Sequence, residues 1–198
     1  MSKKSGANKQ NLDNTRALFL NLATDEFSKY GYADASTDRI VKLSGMARGS
    51  LYYHFNDKRD LFRAVYIKSM HEMADDLRNA YNNGGQYPRD KFMALARQYF
   101  AICADPIAGR IPMVESLAVL DGNDRHQITN ETIRPILADA IGDLAKDGGF
   151  NGQNRNMIAM FLFSTLTESG RIISVLPNAK ATKDQFFQTF EMVLAKII

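Results

Sequence analysis

Cysteine is all but missing from this chain. Among its 198 residues Cys103 stands alone, which excludes an intrachain disulfide and a zinc site of the cysteine-rich kind. Its expected place is inside an apolar helix, with thiol sensing the minor alternative. Histidine is scarce too, and His54, His71 and His126 lie far apart. The run His71-Glu72-Met73-Ala74-Asp75 opens like a zinc-protease helix but has Asp75 where the second histidine belongs, so no metal and no cofactor is expected. A Gly-rich phosphate cradle of the Walker or Rossmann type is absent, and Gly84-Gly85 and Gly148-Gly149 read as turns between helices. These absences disfavour an all-helical enzyme. No run approaches the roughly 18 consecutive apolar residues of a membrane span. Lys3, Lys4 and Lys9 have no apolar stretch behind them of the kind a signal peptide needs, so a cytoplasmic protein without membrane contact is expected.

Helical periodicity is what the chain has in abundance. Apolar residues recur at helical spacing over 15–30, 36–44, 47–53, 58–82, 89–104, 112–120, 129–147, 154–176 and 183–198, while strand-like alternation is scarce. The few glycines and prolines fall mostly between these segments, at Gly31, Gly45, Gly84 to Pro88, Pro106, Gly122 and Pro177. An all-α fold of about nine helices follows. Its length and 45% apolar content suffice for two helical modules. Residues 1–12, polar and without period, read as a flexible basic arm. Charge is distributed unevenly: residues 1–60 carry ten Lys and Arg against seven Asp and Glu, and the remainder carries fifteen of each. A basic end on a neutral body suits a module that meets a polyanion.

The first three helices are restrictive in their lengths and turns. Phe19, Ala23, Phe27 and Tyr30 mark one apolar face, and Gly31 stands where a left-handed residue would stop the helix. Ser36 can cap a very short second helix, Gly45 allows a tight turn, and a third short helix opens at Arg48-Gly49-Ser50 with Leu51 turned inward. Two helices of about two turns are not stable alone, so longer neighbours must hold them, and the third helix is left facing outward. A major groove about 12 Å wide admits one helix. Small Gly49 and Ser50 permit close approach to bases. Arg48 suits a bidentate contact to guanine, with a phosphate contact as the competing role.

The string Ala23-x-x-x-Phe27-x-x-x-Gly31-Tyr32, Ser36-x-x-x-Ile40, Gly45-Met46-Ala47-Arg48-Gly49-Ser50-Leu51-Tyr52-Tyr53-His54-Phe55 and Lys58-x-x-Leu61 resembles the tetracycline-repressor (TetR) family. Met46 and Ala47 stand where Val and Ser are more usual, and Leu43-Ser44 replaces a common small pair. The resemblance implies a helix-turn-helix domain over 13–57 and a helical ligand-binding and dimerisation domain over 58–198. It makes Arg48, Gly49 and Ser50 base-facing candidates. Ser36, Thr37, Tyr52, Tyr53, His54 and Lys58 become backbone-contact candidates, His54 with the alternative of a polar cap beside the turn. Ser36 and Lys58 lie at helix N-termini, where free amides favour an anion.

Beyond residue 89 the resemblance is one of layout. The segment 157–166 is apolar nearly all round and must be covered on several sides. Pairing of 154–176 and 183–198 with their symmetry mates in a homodimer resolves this, and a fully intrachain core is the alternative. Met93, Tyr99, Phe100, Cys103, Met113, Glu115, Leu117 and Phe161 are candidates to line a cavity for an apolar or amphipathic effector, or else plain core. Glu115 and Glu168 are candidate anchors for a cation, against an ordinary ion pair such as Glu168 with Arg171. The resulting expectation is a ligand-released repressor bound as a dimer to a palindromic double-stranded operator. A helical protein-binding adaptor that lost DNA binding is the rival.

Overall fold

A computed structural model describes residues 3–146 and 155–197, and every regular element among them is helical. The chain divides into two compact units, Met1–Lys68 and Ser69–Ile198.

The first unit holds α1 (Lys3–Asp34), α2 (Thr37–Ser44), α3 (Arg48–His54) and the start of α4 (Lys58–Asn83). Helix α1 begins inside the stretch 1–12 that was expected to be an irregular arm. The chain has no proline until Pro88, and once a helix is nucleated each further residue adds one hydrogen bond, so α1 extends backwards past its apolar face. Gly31 breaks the helical path as its sequence suggests, with φ 75° and ψ 174°. Phe19, Ala23 and Phe27 are buried beneath the two short helices with Ile40, Leu51 and Phe55. Leu61, Phe62 and Val65 of α4 join this core, Phe62 meeting Phe27 edge-on at 5.1 Å. This packing keeps the first turns of α4 with the first unit, so the boundary lies inside α4 rather than ahead of it.

In the second unit α5 (Pro88–Ala104) is the central element and packs against α7 (Gly122–Leu144), α8 (Arg155–Val175) and α9 (Ala179–Ile197). Its Phe92, Leu95, Ala96 and Phe100 are fully enclosed. Gly170 lets α8 approach closely: a Cβ there would stand 2.4 Å from Tyr99 Cε1 and 2.8 Å from Cys103 Sγ. Between α5 and α7 lie a π-helical turn, Arg110–Glu115, and the single turn α6 (Ser116–Val119). Helix α7 starts earlier than its apolar spacing suggests. Asp121 caps it, its side chain accepting from Asp124 N, so Asp121-Gly122 opens a helix rather than filling a loop. The Tyr81 hydroxyl donates to Asp143 at 2.7 Å, tying α4 to α7 and holding the Asp143 carboxyl below the usual range. The turn expected at Gly148-Gly149 lies outside the described residues.

Candidate nucleic-acid interface

The candidate surface is assembled by two caps and a buried carboxylate. Ser36, extended, accepts from Arg39 N at 3.3 Å and so starts α2. Gly45, at φ 67°, closes α2 in the left-handed conformation that residues with a Cβ rarely adopt. The carboxylate is Glu26 of α1, only 4% exposed. It accepts from the backbone N–H of Ser36 and from Arg39 Nε, both at 2.8 Å, and so pins the start of α2 to α1. Arg39 also donates to Asp34 O and lies over the Tyr30 ring at 4.5 Å. Neither Glu26 nor Arg39 stands out as functional in the sequence. The available signal was an acidic residue on the apolar face marked by Ala23, Phe27 and Tyr30.

Helix α3 then projects with its inner side buried through Leu51 and its outer side open. Arg48 is exposed, donates from Nη1 to Asp38 Oδ1 at 2.8 Å and lies over the Tyr52 ring at 5.6 Å. Gly49 is exposed in ordinary helical backbone, and a Cβ added there would meet nothing within 4 Å. No neighbour among the described residues requires it to be small. Ser50 is half-buried beside it. The tyrosines divide: Tyr53 is 71% exposed, while Tyr52 is engaged, its hydroxyl 3.4 Å from that of Thr37. His54 is packed edge-on against Tyr53 and near Phe19. Lys58 donates to Ala33 O at 3.2 Å and stands over Tyr32, so it joins the two ends of the unit as well as opening α4. Thr37, Asp38, Arg48 and Tyr52 thus form one connected cluster across the turn.

The expected cavity residues do not converge. Cys103 and Glu115 border a cleft of about 700 Å³ with Asp105, Arg110, Val114, Ser174, Leu176 and Lys180. Glu115 pairs there with Arg110 at 3.0 Å. Met93 instead borders a separate groove with Arg97 and Glu191. Tyr99 and Phe100 are core, packed on Gly170 and on Phe190. Met113 is half-buried on the π-helical turn without lining the cleft, and Leu117 and Phe161 face outward. Glu168 is held by Arg171 as an exposed ion pair.

A family profile described as "Bacterial regulatory proteins, tetR family" matches residues 19–65, and one described as "Tetracyclin repressor-like, C-terminal domain" matches residues 89–197. The chain belongs to the TetR family. It joins a helix-turn-helix unit to a second helical unit, and the profile over the first is one of bacterial regulatory proteins. The HTH-type transcriptional regulator TtgR of Pseudomonas putida is 38% identical over 72 residues, covering 36% of this chain and 34% of that protein. The transcriptional activator FasR of Mycolicibacterium smegmatis is 26% identical over 160 residues, covering 80% and 72%. The crystal structure of a TetR-family regulator from Pectobacterium atrosepticum superposes with a TM-score of 0.80 at 24% identity, covering 96% of each chain. The chain matches only about a third of the length of the first curated relatives. The body of this TetR-family chain is matched in sequence as well, by the profile over 89–197.

Proposed function

We propose that this chain is a dimeric, sequence-specific repressor that leaves a palindromic operator when a small, largely apolar or amphipathic effector binds. The observation that carries the DNA-reading part is the division of α3, with Leu51 inward and Arg48, Gly49 and Tyr53 outward. A short helix with a small residue and a forked donor at its exposed N-terminal end suits insertion into a major groove. Arg48 reads a base, Gly49 and Ser50 permit the approach, and Ser36, Thr37, Tyr52, Tyr53, His54 and Lys58 serve the phosphates. Tyr53 is the freest of these, whereas Lys58 must give up Ala33 O to reach DNA.

Dimerisation is read from α8 and α9. Each buries one side within its own unit, through Leu162, Leu166 and Ile173, and through Phe187, Phe190 and Leu194. Met157, Met160, Phe161 and Met192 remain exposed. Helix α8 is long and apolar enough, over Asn156–Val175, to cross a membrane by length and composition. Its Glu168–Arg171 pair and its packed inner side favour a protein interface in a cytoplasmic protein. The effector is placed in the cleft at Cys103 and Glu115, whose apolar wall and Arg110 and Lys180 suit an amphipathic molecule. No catalytic role is assigned. Release requires the effector to bind free and operator-bound protein unequally, and equal affinities exclude it.

The experiment is selection of duplexes from a random pool by the full-length protein. A palindrome is the expected outcome, with Arg48→Ala losing the preference at one guanine position of each half-site. Recovery of no sequence, or of a single asymmetric site, overturns the reading. A reporter driven from the selected site then fixes the sign, repression being expected although FasR is named an activator.

A further inference from the structure

We infer that Asp38 is a specificity-determining residue: its carboxylate holds Arg48 so that one edge of the guanidinium is presented to guanine as a two-pronged donor. The inference rests on the base-reading role proposed for Arg48. An arginine side chain has many rotamers, and a bidentate base contact must freeze them in one geometry. In this unit the side chain is biased toward one geometry in advance. Gly45 turns the chain so that Asp38, in the first turn of α2, meets Arg48, the first residue of α3. Asp38 Oδ1 accepts from Nη1 at 2.8 Å, and the guanidinium carbon lies 5.6 Å from the Tyr52 ring centre. One edge and one face are thereby fixed. The N–H groups on Nε and Nη2 take no partner among the described residues, and they are the parallel pair that guanine O6 and N7 accept.

Two further observations favour this role. Side-chain exposures of 63% for Arg48 and 71% for Asp38 make the pair a surface ion pair, which adds little to folding stability. Asp38 also places a negative charge on a surface that meets phosphates, which opposes binding to any sequence. A group that contributes little to the fold and weakens general affinity has its use in discrimination.

The test compares wild type, Arg48→Ala, Asp38→Ala and Asp38→Asn on the pool-selected duplex, on every single base-pair substitution of one half-site, and on an unrelated duplex. Matching thermal melts confirm folding. Arg48→Ala is expected to erase the preference at one guanine position. Asp38→Ala is expected to lower the preference at that same position, within the roughly 5- to 150-fold range of a bidentate contact. Affinity for the unrelated duplex should hold or rise. Asp38→Asn keeps an acceptor oxygen but no charge and should fall between. If Asp38→Ala changes affinity for all duplexes by one common factor, Asp38 is only an electrostatic brake and the inference fails. If it alters a different base pair, Asp38 reads a base itself and the inference fails. Should Arg48→Ala erase no preference, the base-reading role itself fails.

Discussion

A glycine within a helix lowers its stability by about 0.5 to 1 kcal/mol relative to alanine. Gly49 has ordinary helical backbone and open space around it, so nothing in the fold compensates for that loss. Gly49→Ala should therefore raise the urea midpoint slightly while weakening operator binding by roughly tenfold or more, because a Cβ on the reading helix holds the backbone off the bases. Stability and binding moving together would refute the external role of this glycine. Cys103 presents the opposite case. Burial pushes its thiol up to about 12, so at pH 8 almost no thiolate is present in the folded protein. A thiol-alkylating reagent should label Cys103 only in denaturant. Rapid labelling of the native protein would restore thiol sensing, which packing against Gly170 disfavours.

Among the elements, α2 cannot persist without its neighbours. Eight residues with two caps are too short to persist alone, and Glu26 supplies the tertiary anchor. Glu26→Ala leaves the Ser36 N–H and the Arg39 guanidinium without this acceptor, and a loss of roughly 1 to 3 kcal/mol is expected from urea denaturation. Operator binding should fall with it, because Thr37, Asp38 and, through Asp38, Arg48 all follow the position of α2. Glu26→Gln, which retains an acceptor oxygen, should recover part of both. An unchanged midpoint in Glu26→Ala would show that the caps alone hold α2. Helix α7 teaches a related lesson: Asp121-Gly122 has the composition of a loop, and only the hydrogen bond from Asp124 N shows that the aspartate opens a helix.

At the scale of the whole molecule, the proposed function depends on the number of reading heads. Two heads on one dimer exceed the affinity of either by effective concentration, by roughly 10²- to 10⁴-fold. Met160→Glu with Phe161→Glu places charge on the apolar side of α8, at two side chains that are each more than half exposed. Sedimentation should show a folded monomer, and operator affinity should drop by about that factor while unrelated DNA is bound as before. A dimer that survives both substitutions would move the interface elsewhere.

The reading head was largely legible in the sequence because its determinants are local. Ser36 and Gly45 act on their own backbone, and Phe19, Ala23, Phe27, Leu51 and Phe55 reveal themselves by periodicity. The proposed effector cleft was not legible. Met93, Tyr99, Phe100, Cys103, Met113, Glu115 and Phe161 are of similar chemical character, and only the packing of α5 against α8 and α9 separates core from cleft from surface. The partnerships of Glu26 with Arg39 and of Asp38 with Arg48 were equally hidden. Sequence alone determined the helical build, the turn at Gly45 and the outward probe, since short-range sterics and capping set these. Tertiary structure decided which charges meet and which apolar side chains stay uncovered, because those depend on distances between helices that no spacing along the chain encodes.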